Sequence, residues 1–204
     1  MIIPNEIDSH VVKKISADSF YQSDIDTVVI ATTITSIGSN AFASNNLSEV
    51  ILPPGLQSMG DGAFQHNILT NVVLGEGISS IANYLFKGNQ LQGIDLPDSV
   101  IDIGWHAFLD NPGKIGDNFN YFRVNDDAIV IGCADICPQN LVIPSQIDDL
   151  NVTTIQEYAF GGIDIHTLVL PDTIEVVNGS TFTGNNNLTQ ITIENPDALI
   201  GGYA

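Results

Sequence analysis

Apolar positions recur along this chain with one dominant period. Phe20, Phe42, Phe64, Phe86 and Phe108 stand at one constant interval, and after a gap Phe160 and Phe182 repeat it. An aliphatic side chain sits eight before each Phe (Val12, Ile34, Leu56, Ile78, Val100, Val152, Ile174), and another sits five before (Ile15, Ile37, Met59, Ile81, Ile103, Ile155, Val177). Positions five, eight and ten after the Phe are also apolar: Ile25/Val28/Ile30, Leu47/Val50/Leu52, Leu69/Val72/Leu74, Leu91/Ile94/Leu96 and Ile165/Leu168/Leu170. The seventh unit slips by one, to Leu188/Ile191/Ile193. A fixed period of roughly 20–30 residues marks a solenoid, because a single coil cannot bury its apolar side and must stack on the next.

The last three positions spell L-x-x-L-x-L, a strand with positions eight and ten facing inward and seven and nine facing out. Pro53-Pro54-Gly55, Gly75-Glu76-Gly77, Pro97-Asp98 and Pro171-Asp172 follow these strands. Proline lacks a backbone donor and suits the point where pairing stops. The stretch leading to each Phe, as in ITSIGSNAF or LQSMGDGAF, has room for no more than a turn of helix and predicts short helical turns on the convex side. The fold class is therefore a leucine-rich-repeat solenoid with a parallel sheet on its concave side, expected as one right-handed stack over 1–204.

The pattern L-x-x-I-x-L-P-x-x-V-x-x-I-G-x-x-A-F resembles the BspA-like, or treponemal-type, leucine-rich repeats of bacterial cell-surface proteins. One departure stands out. Where the family commonly places Cys three after the Phe, this chain has Asn45, Asn67, Asn89, Asn111 and Asn185. Buried amides must be hydrogen-bonded, so these read as a ladder tying successive coils. The competing reading is exposed turn asparagines.

Phe108 is followed by Gly113, Gly116 and Asn118 at the strand positions, so the repeats span 1–108 and 141–195 around an insertion at 109–140. Within it, two apolar runs flank Asn125-Asp126-Asp127 and predict a β-hairpin. A larger periodicity also appears: Ile143, Ile147, Val152, Ile155 and Phe160 match Ile3, Ile7, Val12, Ile15 and Phe20, with one offset relating every pair. The opening residues then read as a strand remnant whose preceding hairpin is missing, and the chain as a fragment of a longer protein.

Charge changes the picture more than composition does. Against 24 Asp and Glu stand Lys13, Lys14, Lys87, Lys114 and Arg123, giving a formal charge of −19. Such a surface repels phosphate backbones and anionic lipid, so nucleic acid is excluded as a partner, and no apolar run is long enough for membrane insertion. No calcium-loop, P-loop, nucleophile-elbow or dinucleotide motif is present, so no catalytic residue, cofactor or specific metal site is assigned. Asp126-Asp127 and Asp148-Asp149 are at most loose divalent sites. Sequons at Asn46, Asn151, Asn178 and Asn187 matter only in a eukaryotic source. Cys133 and Cys137 form either a short-loop disulfide or two free thiols, and zinc would need two further ligands.

Candidate partner-binding residues come from the outward strand columns. Val29, Ile51, Val73, Asp95 and Val169 occupy position nine, beside Thr27, Glu49, Asn71, Gly93 and Thr167 at position seven. An apolar stripe rimmed by polar groups marks an interaction site, although β-branched residues also simply suit strands. Trp105 is either an outward anchor or a residue covered by the insertion. The family resemblance implies an extracellular or cell-surface location and adhesion to a host or cell-surface protein. The alternatives are a spacer displaying another domain and a carbohydrate-binding solenoid.

Overall fold

The computed structural model describes residues 1–104, 106–116 and 118–202. Trp105 lies outside the described residues, and so does the expectation placed on it. The chain divides into two compact units, Met1–Pro112 and Gly113–Ala204.

In the first unit each period is one coil, and successive coils contribute short parallel strands on two sides. One is the strand expected from the L-x-x-L-x-L triplet: Glu49–Ile51 pairs with Asn71–Val73, with Val50 opposite Val72. Alternation holds as predicted, since Val50 and Leu52 are buried while Glu49 and Ile51 are exposed. The other strand lies six and five positions before each Phe. Lys14–Ile15, Ser36–Ile37 and Ser58–Met59 pair in parallel, as do Ser80–Ile81 and Asp102–Ile103.

That second strand corrects the expectation of helical turns, because the described residues contain no helix. The cause is local. The residue two before each Phe has a positive φ in all seven repeats (Asp18, Asn40, Gly62, Tyr84, His106, Tyr158, Ser180), and so does the residue two after it (Gln22, Ser44, His66, Gly88, Asp110, Gly162, Gly184). A left-handed residue cannot sit inside a right-handed helix without strain at every turn. The chain instead makes successive tight turns, with Ala41 N–H donating to the Gly38 carbonyl at 3.2 Å and Ala43 N–H to the Asn40 carbonyl at 3.0 Å. These turns leave other amides free to point along the stack. Asn40, Phe42 and Ser44 donate to Asp61, Ala63 and Gln65 of the next coil at 2.8–3.0 Å.

Between strands and turns runs the core. Phe20, Phe42, Phe64, Phe86 and Phe108 stack with centroid separations of 5.3, 5.3, 6.0 and 6.1 Å. Ala41, Ala63 and Ala107 beside them are buried and let the coils approach.

The asparagine ladder is present. Asn45, Asn67, Asn89 and Asn111 are buried. The Asn67 amide donates to the Phe42 and Phe64 carbonyls at 2.9 and 3.1 Å, while its oxygen accepts from Leu47 N–H at 3.1 Å. Asn89 and Asn111 repeat this one and two coils on. Asn185, half-buried, does the same in the second unit.

The second unit opens on the predicted hairpin, Phe119–Val124 antiparallel to Asp127–Cys133, with Val124 opposite Asp127. Two coils follow, pairing Asn140–Val142 with Thr167–Leu170 and the latter with Gln190–Ile193, all parallel. Phe160 and Phe182 stack at 5.9 Å.

Candidate interaction surface

Strand geometry presents the stripe. On a two-sided coil the inward residues are consumed by the core, so whatever occupies positions seven and nine meets solvent. Val29, Ile51 and Val73 are 61%, 64% and 52% exposed, and Thr27, Glu49, Asn71 and Asp95 are exposed beside them. Parallel register puts Glu49 directly against Asn71 and Ile51 directly against Val73. These are cross-strand neighbours, spaced by the ordinary strand separation of about 4.8 Å. The result is an aliphatic row with a polar row beside it, and the charged members of the two rows, Glu49 and Asp95, are both carboxylates.

Two further residues hold the same repeat position, one in each unit. Ile2 bridges in parallel to Val29, and in the second unit Val142 pairs with Val169; both Ile2 and Val142 are exposed. Neither belongs to a complete L-x-x-L-x-L triplet, which is why the Phe-centred count passes over them. The offset that carries Ile3 onto Ile143 also carries Ile2 onto Val142, and it is the signal that could have found both.

Cys133 and Cys137 form a disulfide, their Cα atoms 5.5 Å apart, within the range a bridge spans without backbone movement. The bond closes a loop at the end of the hairpin and is no part of the strand face. That loop borders a cavity of about 630 Å³ whose lining includes Asn120, Gly132, Asp135, Gln139 and Asp164. Hydrogen bonds from Asn187 and Gln139 hold the Asp164 carboxyl below the usual range. Burial, with Glu175 and Asp126 nearby, pushes Asp127 up. Tyr121 is pushed up to about 12, first by burial and then by its 2.6 Å hydrogen bond to Asp148. Among the described residues no group of three or more His, Cys, Asp or Glu is placed to hold a metal ion. No helix among them is long and apolar enough to cross a membrane.

Short parallel strands, stacked phenylalanines and asparagine rungs at this period define leucine-rich-repeat coils. Residues 13–120 and 138–204 match the family described as BspA type Leucine rich repeat region, in 6 copies, and the chain belongs to that family. The unmatched interval falls on the hairpin and disulfide loop. Among solved structures, the chain is similar to a leucine-rich repeat protein from Bacteroides ovatus ATCC 8483, at 22% identity over 98% of this chain and 56% of that one, with a TM-score of 0.53. It is also similar to the pneumococcal vaccine antigen PcpA, at 19% identity over 95% of this chain and 50% of that one, with a TM-score of 0.59. A leucine-rich repeat protein from Eubacterium ventriosum ATCC 27560 gives 17% identity over 92% and 58%, with a TM-score of 0.52. At these identities the likeness is one of fold, and the chain spans between half and three-fifths of each structure's length. No curated protein matches the chain.

Proposed function

We propose that the chain is a non-enzymatic interaction module of a surface-exposed or secreted bacterial protein, and that it binds a host or cell-surface protein through the outward strand face. The observation that carries this reading is the aliphatic row of Val29, Ile51 and Val73, each more than half exposed while the inward Ile30, Val50, Leu52 and Val72 beside them are buried. Desolvating that row supplies affinity, while Glu49, Asn71, Asp95 and Thr27 around it supply specificity. A surface with a formal charge of −19 steers a basic partner, so association weakens as salt rises. The disulfide supports an oxidising location outside the cytosol, and the family membership supports display at the cell surface.

Binding of beads coated with the chain to intact host cells tests this reading, comparing wild type with the double variant Ile51→Lys and Val73→Lys. The variant is expected to lose binding with an unchanged circular dichroism spectrum and melting temperature, because neither side chain reaches the core. Undiminished binding by the folded variant removes the strand face from the account. Failure of the wild-type beads to bind at all favours a spacer that holds another domain away from the surface.

A further inference from the structure

Backbone amides run along the stack in a fixed pattern. At every coil-to-coil step of the first unit the carbonyl just before a Phe accepts the N–H of the preceding coil's Phe, as Ala63 does from Phe42 at 2.8 Å. The carbonyl just after the Phe accepts from the residue two past the preceding one, as Gln65 does from Ser44 at 2.9 Å. In the second unit Thr181 and Thr183 are filled likewise by Phe160 and Gly162, at 3.1 and 2.8 Å. Ala159 and Gly161 hold these two positions in the coil of Phe160, and no donor among the described residues reaches either carbonyl.

The hairpin is the reason. Its strand Asp127–Cys133 takes the place of a preceding coil as far as Val130, which lies opposite Ile155 as Ile15 lies opposite Ile37. Gln156 N–H reaches the Val130 carbonyl as Gly38 N–H reaches that of Ile15, both at 2.8 Å. Beyond that point a coil turns toward its Phe, whereas the hairpin runs straight on, with Gly132 opposite Asn120 and Cys133 opposite Phe119. No turn amides therefore arrive at Ala159 and Gly161, and the cavity of about 630 Å³ opens there, with Gly132 and Ala159 in its wall. A Cβ on Gly132 would lie 3.3 Å from the Ala159 carbonyl oxygen, so this oxygen is turned toward the hairpin. Ile163, at the position that Asn67 and Asn185 hold in their coils, lines the same cavity and brings no rung amide to it.

We propose that this cavity binds an alkylguanidinium group, either the side chain of an arginine in a peptide or a small free guanidine of the same reach. Carbonyls without a protein donor call for a ligand rich in N–H groups. Asp135 and Asp164 line the cavity as well, and none of its lining residues is Lys, Arg or His, so the ligand must also be a cation. The Asp164 carboxylate is already oriented, accepting from the Asn187 and Gln139 amides at 2.7 and 3.0 Å. A guanidinium carries five N–H donors in one plane, enough to serve a carbonyl and a carboxylate together, and it is more weakly hydrated than an ammonium. Its methylene stem finds apolar wall at Ile131, Ala159 and Ile163. The volume lies within the roughly 300–1,000 Å³ of small-molecule sites. The cavity shares no residue with the outward strand columns, so its occupant does not depend on the binding role assigned to that face.

The test titrates the intact, isotope-labelled chain at low salt with Nα-acetyl-arginine methylamide and with agmatine, following the carbonyl carbons of Ala159 and Gly161 by NMR. Both signals are expected to move downfield and saturate, as they do when a carbonyl gains a hydrogen bond. The citrulline analogue, of the same shape but uncharged, is expected to bind about tenfold or more weakly. Tighter binding by the arginine amide assigns the site to peptides, and tighter binding by agmatine assigns it to free guanidines. Asp135→Lys is expected to weaken binding about tenfold or more, while Asp126→Lys, an equal charge change at an exposed residue outside the cavity, leaves it within about twofold. Asp135 is exposed, so the melting temperature should not change. No saturable shift at Ala159 and Gly161 overturns the proposal. Equal weakening by the two lysine variants, or a citrulline analogue as tight as arginine, overturns it too, because the attraction is then a property of the acidic surface or of any polar head.

Discussion

Replacing Asn67 by alanine isolates what the polar ladder contributes. The side chain is 4% exposed and ties two coils together, donating to the Phe42 and Phe64 carbonyls and accepting from Leu47 N–H. The two carbonyls do not lose equally with the amide. Phe42 still receives Asn45, and Phe64 still receives Asn89, so each keeps one partner. Leu47 N–H, by contrast, has Asn67 as its acceptor and sits in a buried strand approach. Stranding one buried donor costs about 1–3 kcal/mol, and the three forfeited second bonds, the 3.3 Å one to the Gln65 carbonyl included, place the total near the upper end of that span. Asn67→Asp should be worse at neutral pH, since a carboxylate can still accept from Leu47 but faces two carbonyls with no proton to offer. Urea denaturation at constant m checks both, with Asn46→Ala as the control, because Asn46 is exposed and its side chain bonds the Asp24 carboxylate at 2.7 Å rather than any buried group. A shift of less than about 0.5 kcal/mol for Asn67→Ala, the range of ordinary surface substitutions, would refute the reasoning, and so would an aspartate that is better tolerated than alanine.

Phe64→Ala should cost about 3–5 kcal/mol by opening a cavity between rings now 5.3 and 6.0 Å away, measured in the same denaturation series. Because the folded-state pKa of Tyr121 is raised to about 12, its contribution is complete below about pH 10 and lost as pH rises toward 12; Tyr121→Phe should flatten that alkaline loss of stability. Asp127 is raised too, so its charged form is penalised in the fold. Asp127→Asn should stabilise the hairpin at neutral pH, and the gain should vanish as pH falls through the raised value in a pH series of urea melts. Opening the disulfide with Cys133→Ser and Cys137→Ser removes a short-loop constraint of about 2 kcal/mol, read as faster hydrogen exchange confined to 119–137.

Much of this architecture was legible because a constant period forces core, strand and rung to the same positions in every coil. Phe64, Val50 and Asn67 could each be assigned from their place in the repeat alone. The turns leading into and out of each Phe were not legible, and the reason is conformational. Its turns depend on left-handed residues at two fixed positions, and where these are Gly62, Asn40 or Asp18 the residue type announces the geometry. Tyr84, Tyr158, Gln22 and Ser44 take the same conformation without any such preference, held there by the backbone bonds of the turns and between coils. The short strands before each Phe, such as Ser36–Ile37 and Ser58–Met59, likewise have no room to show a period of their own. On the strand face, Val29, Ile51, Val73, Glu49, Asn71 and Asp95 are exposed as their repeat positions predict, Gly93, Thr167 and Val169 at the same positions are half-buried, and Ile2 and Val142 are hidden by incomplete triplets.

Hydroxyl-radical footprinting of the chain, free and bound to a host-surface protein it captures, decides whether a partner sits on the outward strand face. Bound partner is expected to protect Val29, Ile51 and Val73 from oxidation while Tyr21 on the turn side and Ile136 in the disulfide loop stay as reactive as in the free chain. Protection centred on residues 113–140 or on the turns beside the phenylalanines, with the Val29, Ile51 and Val73 row still fully reactive, would contradict it.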